Sequence, residues 1–153
     1  MMSVLAAVVA GWLAGAAGEA PALVVQAADS PVKIERATVL TAADTPPVVL
    51  YLAANQTDGD LDTFTVIVFV FDAKGNLKAR QTAPARRNLE ARTSKYSTIV
   101  LDGSPIAATD QIVIGVNQAQ RVNSDAWWRA DIQPAAEGAV RPTLGQPPVR
   151  PRP

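Results

Sequence analysis

Thr63-Phe64-Thr65-Val66-Ile67-Val68-Phe69-Val70-Phe71 sets the terms on which this chain folds. Every residue in the run is β-branched or aromatic, and none is Gly or Pro. Such side chains suit a pleated, packed surface, so the run reads as a buried strand. It closes in Asp72-Ala73-Lys74-Gly75-Asn76, a turn with Gly where a left-handed residue is wanted. A sandwich strand with one solvated face alternates apolar and polar residues. This one does not. Phe64, Val66, Val68 and Val70 share one face, and Thr65, Ile67, Phe69 and Phe71 the other. The bulk of Ile67, Phe69 and Phe71 favours theirs as the core side, while parity alone leaves both faces open. The opposite face then needs cover, from a docked partner, from a loop at Pro84 to Ser94 or from the C-terminal tail.

Six further strands are expected around it: Val32 to Leu40, Val48 to Ala54, Leu77 to Thr82, Lys95 to Leu101, Gln111 to Gln118 and Ala126 to Ile132. The first alternates imperfectly and reads as an edge. Asn55 to Asp62 reads as a hairpin pairing Val48 to Ala54 with the central strand. About seven short strands between turns predict an all-β fold, an antiparallel β-sandwich.

Both ends differ in character. Val4 to Ala17 is apolar and small, and too short to span a bilayer, which takes about 20 apolar residues. Val25-Gln26-Ala27 supplies a small-residue cleavage pattern, so residues 1–27 read as a signal peptide. Met1-Met2-Ser3 carries no Lys or Arg, so the amino terminus supplies the positive charge or the start lies upstream. The sandwich is expected over residues 28–133, in the periplasm or outside the cell, with no stable membrane insertion after cleavage. From Pro134 to Pro153 the chain is rich in Pro and Arg and poor in apolar groups, which predicts a disordered tail.

Lys and Arg total 14, as do Asp and Glu, so nothing in the net charge draws the chain to nucleic acid. There is no Cys and no His. Disulfides, thiol nucleophiles, Cys/His metal sites and His general bases are therefore excluded. No enzyme activity, metal or cofactor is expected.

Val68-Phe69-Val70-Phe71-Asp72, followed by Lys74-Gly75-Asn76-Leu77, resembles the FxLYD-type domains of exported bacterial proteins. The likeness covers about Val48 to Val116, with Val68 and Val70 in place of Phe and Leu, and Phe71 in place of Tyr. It implies an immunoglobulin-like sandwich outside the cytoplasm and brings no catalytic residues.

Three surfaces are candidates for binding. Lys78, Arg80, Arg86 and Arg87, with Lys74, Arg92 and Lys95 nearby, crowd one stretch and suit an anionic polysaccharide. Only Tyr96 lies near for base stacking, which argues against nucleic acid. Trp127 and Arg129 fall on one side of the last strand and Trp128, Ala130 and Ile132 on the other. An exposed Trp127 suits a sugar or a partner anchor. The third surface is the uncovered sheet face, for an envelope protein or a second copy. Asp58-Gly59-Asp60-Leu61-Asp62 alternates carboxylates but lacks the later EF-hand positions. Asn55-Gln56-Thr57 fits the glycosylation acceptor pattern. The leading expectation is a noncatalytic envelope module that binds or scaffolds; the alternative is a carbohydrate-binding module using Trp127.

Overall fold

The computed structural model describes residues 17–83, 86–103 and 105–145. The central run becomes β5 (Leu61–Phe71). One edge of β5 pairs with β9 (Gln111–Arg121) along its length. Its other edge pairs with β6 (Leu77–Thr82) over Ile67 to Phe71 and with β7 (Arg86–Leu89) over Leu61 to Phe64. Between them, the N–H of Ala83 donates to the carbonyl of Val66 at 2.8 Å. The free edge of β9 is also shared: β2 (Leu23–Val24) lies parallel to it at Val113 and Ile114, and β10 (Trp127–Arg129) antiparallel at Gln118 to Gln120.

The second sheet is antiparallel throughout, in the order β1 (Ala17–Pro21), β3 (Val32–Ala42), β4 (Val48–Asn55), β8 (Ser94–Val100). The molecule is thus a two-sheet β-sandwich with ten strands among the described residues. β3 is an inner strand, not the expected edge. Its imperfect alternation comes from a bulge between Ile34 and Arg36. An inserted residue resets parity, so Val32 and Ile34 before the bulge and Ala37 and Val39 after it all face inward.

Asn55 to Asp60 does not close a hairpin. β4 and β5 belong to different sheets, and the connection carries the chain from one layer to the other. The polar linker is too long for the two-residue turn that holds neighbouring strands together. Asn55 organises it: its amide nitrogen donates to the carbonyls of Gly59 and Leu89, and its side-chain oxygen accepts from the N–H and hydroxyl of Thr57.

The inter-sheet core takes Phe64, Val66, Val68 and Val70 from β5, with Val49, Tyr51 and Ala53 from β4 and Ile112, Ile114 and Val116 from β9. This reverses the assignment by bulk: Ile67, Phe69 and Phe71 face away from the sandwich. With Val113 they form a second cluster with Val25, Ile132, Ala136 and Val140. Ala136 and Val140 belong to α1 (Gln133–Gly145), so an irregular tail from Pro134 is corrected over this range. The carbonyl of Ile132 accepts from Ala136 N–H, and Asp131 Oδ1 accepts from Gln133 N–H. Pro134 sits in the first turn, where a missing N–H costs nothing. Residues 1–16 and 146–153 lie outside the described residues, but Ala17 to Val25, expected in the leader, are built into both sheets.

Candidate functional site

Among the described residues, one large face has no such cover. In the four-stranded sheet, register partners share a side, so Leu40, Val48 and Val100 form one rung on the outer surface. Thr38, Leu50 and Thr98 form the next, and Arg36, Leu52 and Tyr96 the third. Leu40 is 38% exposed, Val100 45% and Tyr96 60%. Val48, Leu50 and Leu52 are half-buried, and none of the six apolar residues belongs to either buried cluster. Charges sit at the two ends: Glu19 pairs with Leu40 at one, while Lys33, opposite Ala54, and Arg36 lie toward the other. The doubled apolar parity of Val48 to Ala54 was the sequence sign of this face. Leu40 and Val100 were not singled out, and Tyr96 only as a neighbour of the cationic stretch, because each becomes part of this patch only through register.

The outer face of the other sheet is mostly covered, leaving a groove of about 360 Å³. Ile67 and Phe69 line it with Asn117, Ile132 and the expected binding residues Arg80 and Arg129. The Arg80 guanidinium carbon lies 5.9 Å from the Phe69 ring centroid, and its Nη1 donates to Gln133 Oε1 at 2.8 Å. Arg129 lies 5.9 Å from the Trp127 ring centroid, so this pair stacks as cation on ring. Trp127 is 38% exposed. Trp128 packs against the inter-sheet core, as expected, but Ile132 does not accompany it. Strand parity ends at Arg129; Ala130 N–H bonds the carbonyl of Asn117, and the chain continues onto the outer face. Beside Trp127 and Trp128 lies a cleft of about 350 Å³, bordered by Asp29, Arg121 and Ser124. The Trp128 indole nitrogen is buried without a hydrogen-bond partner.

Several cations of the basic stretch have local partners. Lys78 pairs with Asp110 at 2.6 Å and Arg92 with Asp58 at 2.9 Å. Lys95 donates to the carbonyl of Asn88. Arg87 is exposed on β7, and the side chain of Arg86 lies outside the described residues. The carboxylate loop is likewise committed: Asp60 Oδ1 accepts from Ala91 N–H, as Asp58 does from Arg92. Among the described residues no cluster of three acidic groups is placed to hold a metal, and no helix is long and apolar enough to cross a membrane. Asn55 is 2% exposed with its amide nitrogen engaged twice, so a glycan on it is incompatible with this fold.

The Asp72 carboxyl is held below the ordinary carboxylate pKa. The N–H of Asn76, then that of Lys74, donates to it and lowers the value. These bonds fix the β5–β6 turn, in which Gly75 has φ of 81°. Comparison with family models, curated proteins and solved structures found no match.

Proposed function

We propose that this chain is an exported, noncatalytic β-sandwich module of the cell envelope, periplasmic or extracellular, whose four-stranded sheet seats a second copy of itself. The observation that carries the reading is the uncovered apolar face of Leu40, Val48, Leu50, Leu52, Tyr96 and Val100. Contiguous exposed apolar surface marks interaction sites. A second copy fits its charges. A two-fold axis running across the strands turns one face end for end, bringing the Glu19 end of each copy to the Lys33 and Arg36 end of the other. Formal net charge is zero, so no long-range repulsion opposes the encounter.

The strand order supports an immunoglobulin-like sandwich: β3, β4 and β8 in one layer, β10, β9, β5 and β6 in the other, with the chain passing repeatedly between layers. The resemblance of Val48 to Val116 to FxLYD-type domains points the same way, toward an extracytoplasmic module without catalysis.

Sedimentation of the purified protein tests the docking face. A dimer is expected, and Leu40→Asp or Val100→Asp should leave a folded monomer, with self-affinity down about 10-fold or more. Lys33→Glu with Arg36→Glu should also weaken it, and adding Glu19→Lys should restore it. A wild-type monomer overturns this occupant; capture of one envelope protein by the same face would assign it to a different partner.

A second reading, carbohydrate binding, rests on the cleft beside Trp127, where the Trp128 indole N–H has no partner and Asp29, Arg121 and Ser124 border the space. Glycan-array binding, acidic polysaccharides included, that is lost on Trp127→Ala while the sedimentation profile is unchanged would favour it.

A further inference from the structure

The expected cleavage after Ala27 conflicts with how the first described residues are used. β1 pairs along its whole length with β3, Ala17 opposite Ala42 through Pro21 opposite Thr38. Thr41 Oγ1 donates to the carbonyl of Gly18, and a Cβ on Gly18 would lie 2.7 Å from that oxygen. The chain then changes layer. Ala22 N–H donates to Ala37 in one sheet, and Val25 N–H to Ile114 in the other, both at 3.0 Å. Between them, Leu23 and Val24 extend the edge of β9. Val25 is 9% exposed and joins the cluster of Ile67, Phe69 and Ile132. Residues 17–25 therefore tie the two sheets together. Removing them would strip the N-terminal half of β9 of its edge partner and uncover apolar side chains on both layers, a liability for aggregation.

Directly before β1 stands Ala14-Gly15-Ala16, small residues at the first and third positions ahead of the next bond. Val4 to Leu13 precedes it as an apolar stretch of the length a signal's hydrophobic region takes, about 7–15 residues. We infer that the exported chain is processed between Ala16 and Ala17 and keeps β1, β2 and Val25. This rests on the export reading above. The step is hydrolysis of one peptide bond by an envelope peptidase that reads small residues: water supplies hydroxyl to the Ala16 carboxyl group and hydrogen to the Ala17 amine. The Val25-Gln26-Ala27 pattern is then a resemblance without a role, because Val25 is engaged in the fold and Ala27 packs against the second cluster.

The full chain, expressed in a bacterium that exports it, is recovered from the envelope fraction for intact-mass measurement and N-terminal sequencing. The expected first residue is Ala17, and Ala16→Leu should abolish that product while Ala27→Leu should not. An exported protein beginning at Ala28 overturns the inference and leaves export standing. A chain that stays in the cytoplasm with Met1 overturns the export reading and this inference with it. As a measurement independent of processing, chains starting at Ala17 and at Ala28 are compared by thermal unfolding. The shorter chain should melt about 10 °C lower or aggregate on purification, and equal midpoints overturn the argument for retention.

Discussion

Asn55 shows how much of the layer change depends on one side chain. Its amide nitrogen reaches two carbonyls, Gly59 at 2.9 Å and Leu89 at 3.0 Å, while its oxygen serves Thr57. Asp at this position keeps the acceptor and removes both donors, leaving two carbonyls facing a carboxylate. Asn55→Asp should destabilise by about 2–4 kcal/mol, read from the urea midpoint. Asp72 acts at the same scale. Its pKa is lowered in the folded chain, so its stabilisation is present above the usual carboxylate range and is lost as pH falls through the folded value. The gap in urea midpoint between wild type and Asp72→Asn should therefore narrow on acidification from about pH 5 to pH 2. The Asp72 turn was legible in the sequence because its signals are local. The role of Asn55 was not, because Leu89 is distant in the chain and the Asn-x-Thr pattern suggested glycosylation instead.

At the scale of elements, the long β-branched runs announced themselves, and all seven expected strands are present with ends shifted by a few residues. Pairing was less legible, since β4 and β5 are adjacent in sequence yet lie in different sheets. α1 was missed because Pro134, Gly138 and Pro142 argue against a helix and its apolar side is narrow. The readable trace was the spacing of Ile132, Ala136, Ala139 and Val140 after Asp131, a stripe at helical period. That stripe covers Phe69 and Phe71, so the tail is not dispensable as a free segment would be. Val140 is fully buried, and Val140→Asp should cost about 3 kcal/mol or more. Truncation after Ile132 should likewise lower the thermal midpoint and raise dye binding to exposed apolar surface. An unchanged midpoint in both variants would show that α1 contributes nothing to the fold.

Across the whole molecule, the two outer sheet faces meet opposite fates. One is closed by segments from the two ends of the described chain, Val25 and α1; the other is left with six apolar side chains in reach of solvent. Composition foretold this only in part. Two-sided apolar strands say that extra cover is needed, but the helix that supplies it for one sheet was masked by Pro134, Gly138 and Pro142.

Both end segments converge on one strand, with consequences in time as well as space. β2 finds its place only beside Val113 and Ile114, about 90 residues further along, so its contacts have the long sequence separation that slows folding. Gly115 is where Val25 and Ile132 meet: a methyl there would lie 2.7 Å from the Val25 carbonyl and 2.5 Å from Ile132 Cδ1. A chain emerging from a ribosome amino end first can pair β1 with β3 early but must hold Leu23 and Val24 idle until β9 arrives. Until then, the apolar residues of β5 lack both their β9 neighbour and their cover, and that exposed surface is prone to aggregate.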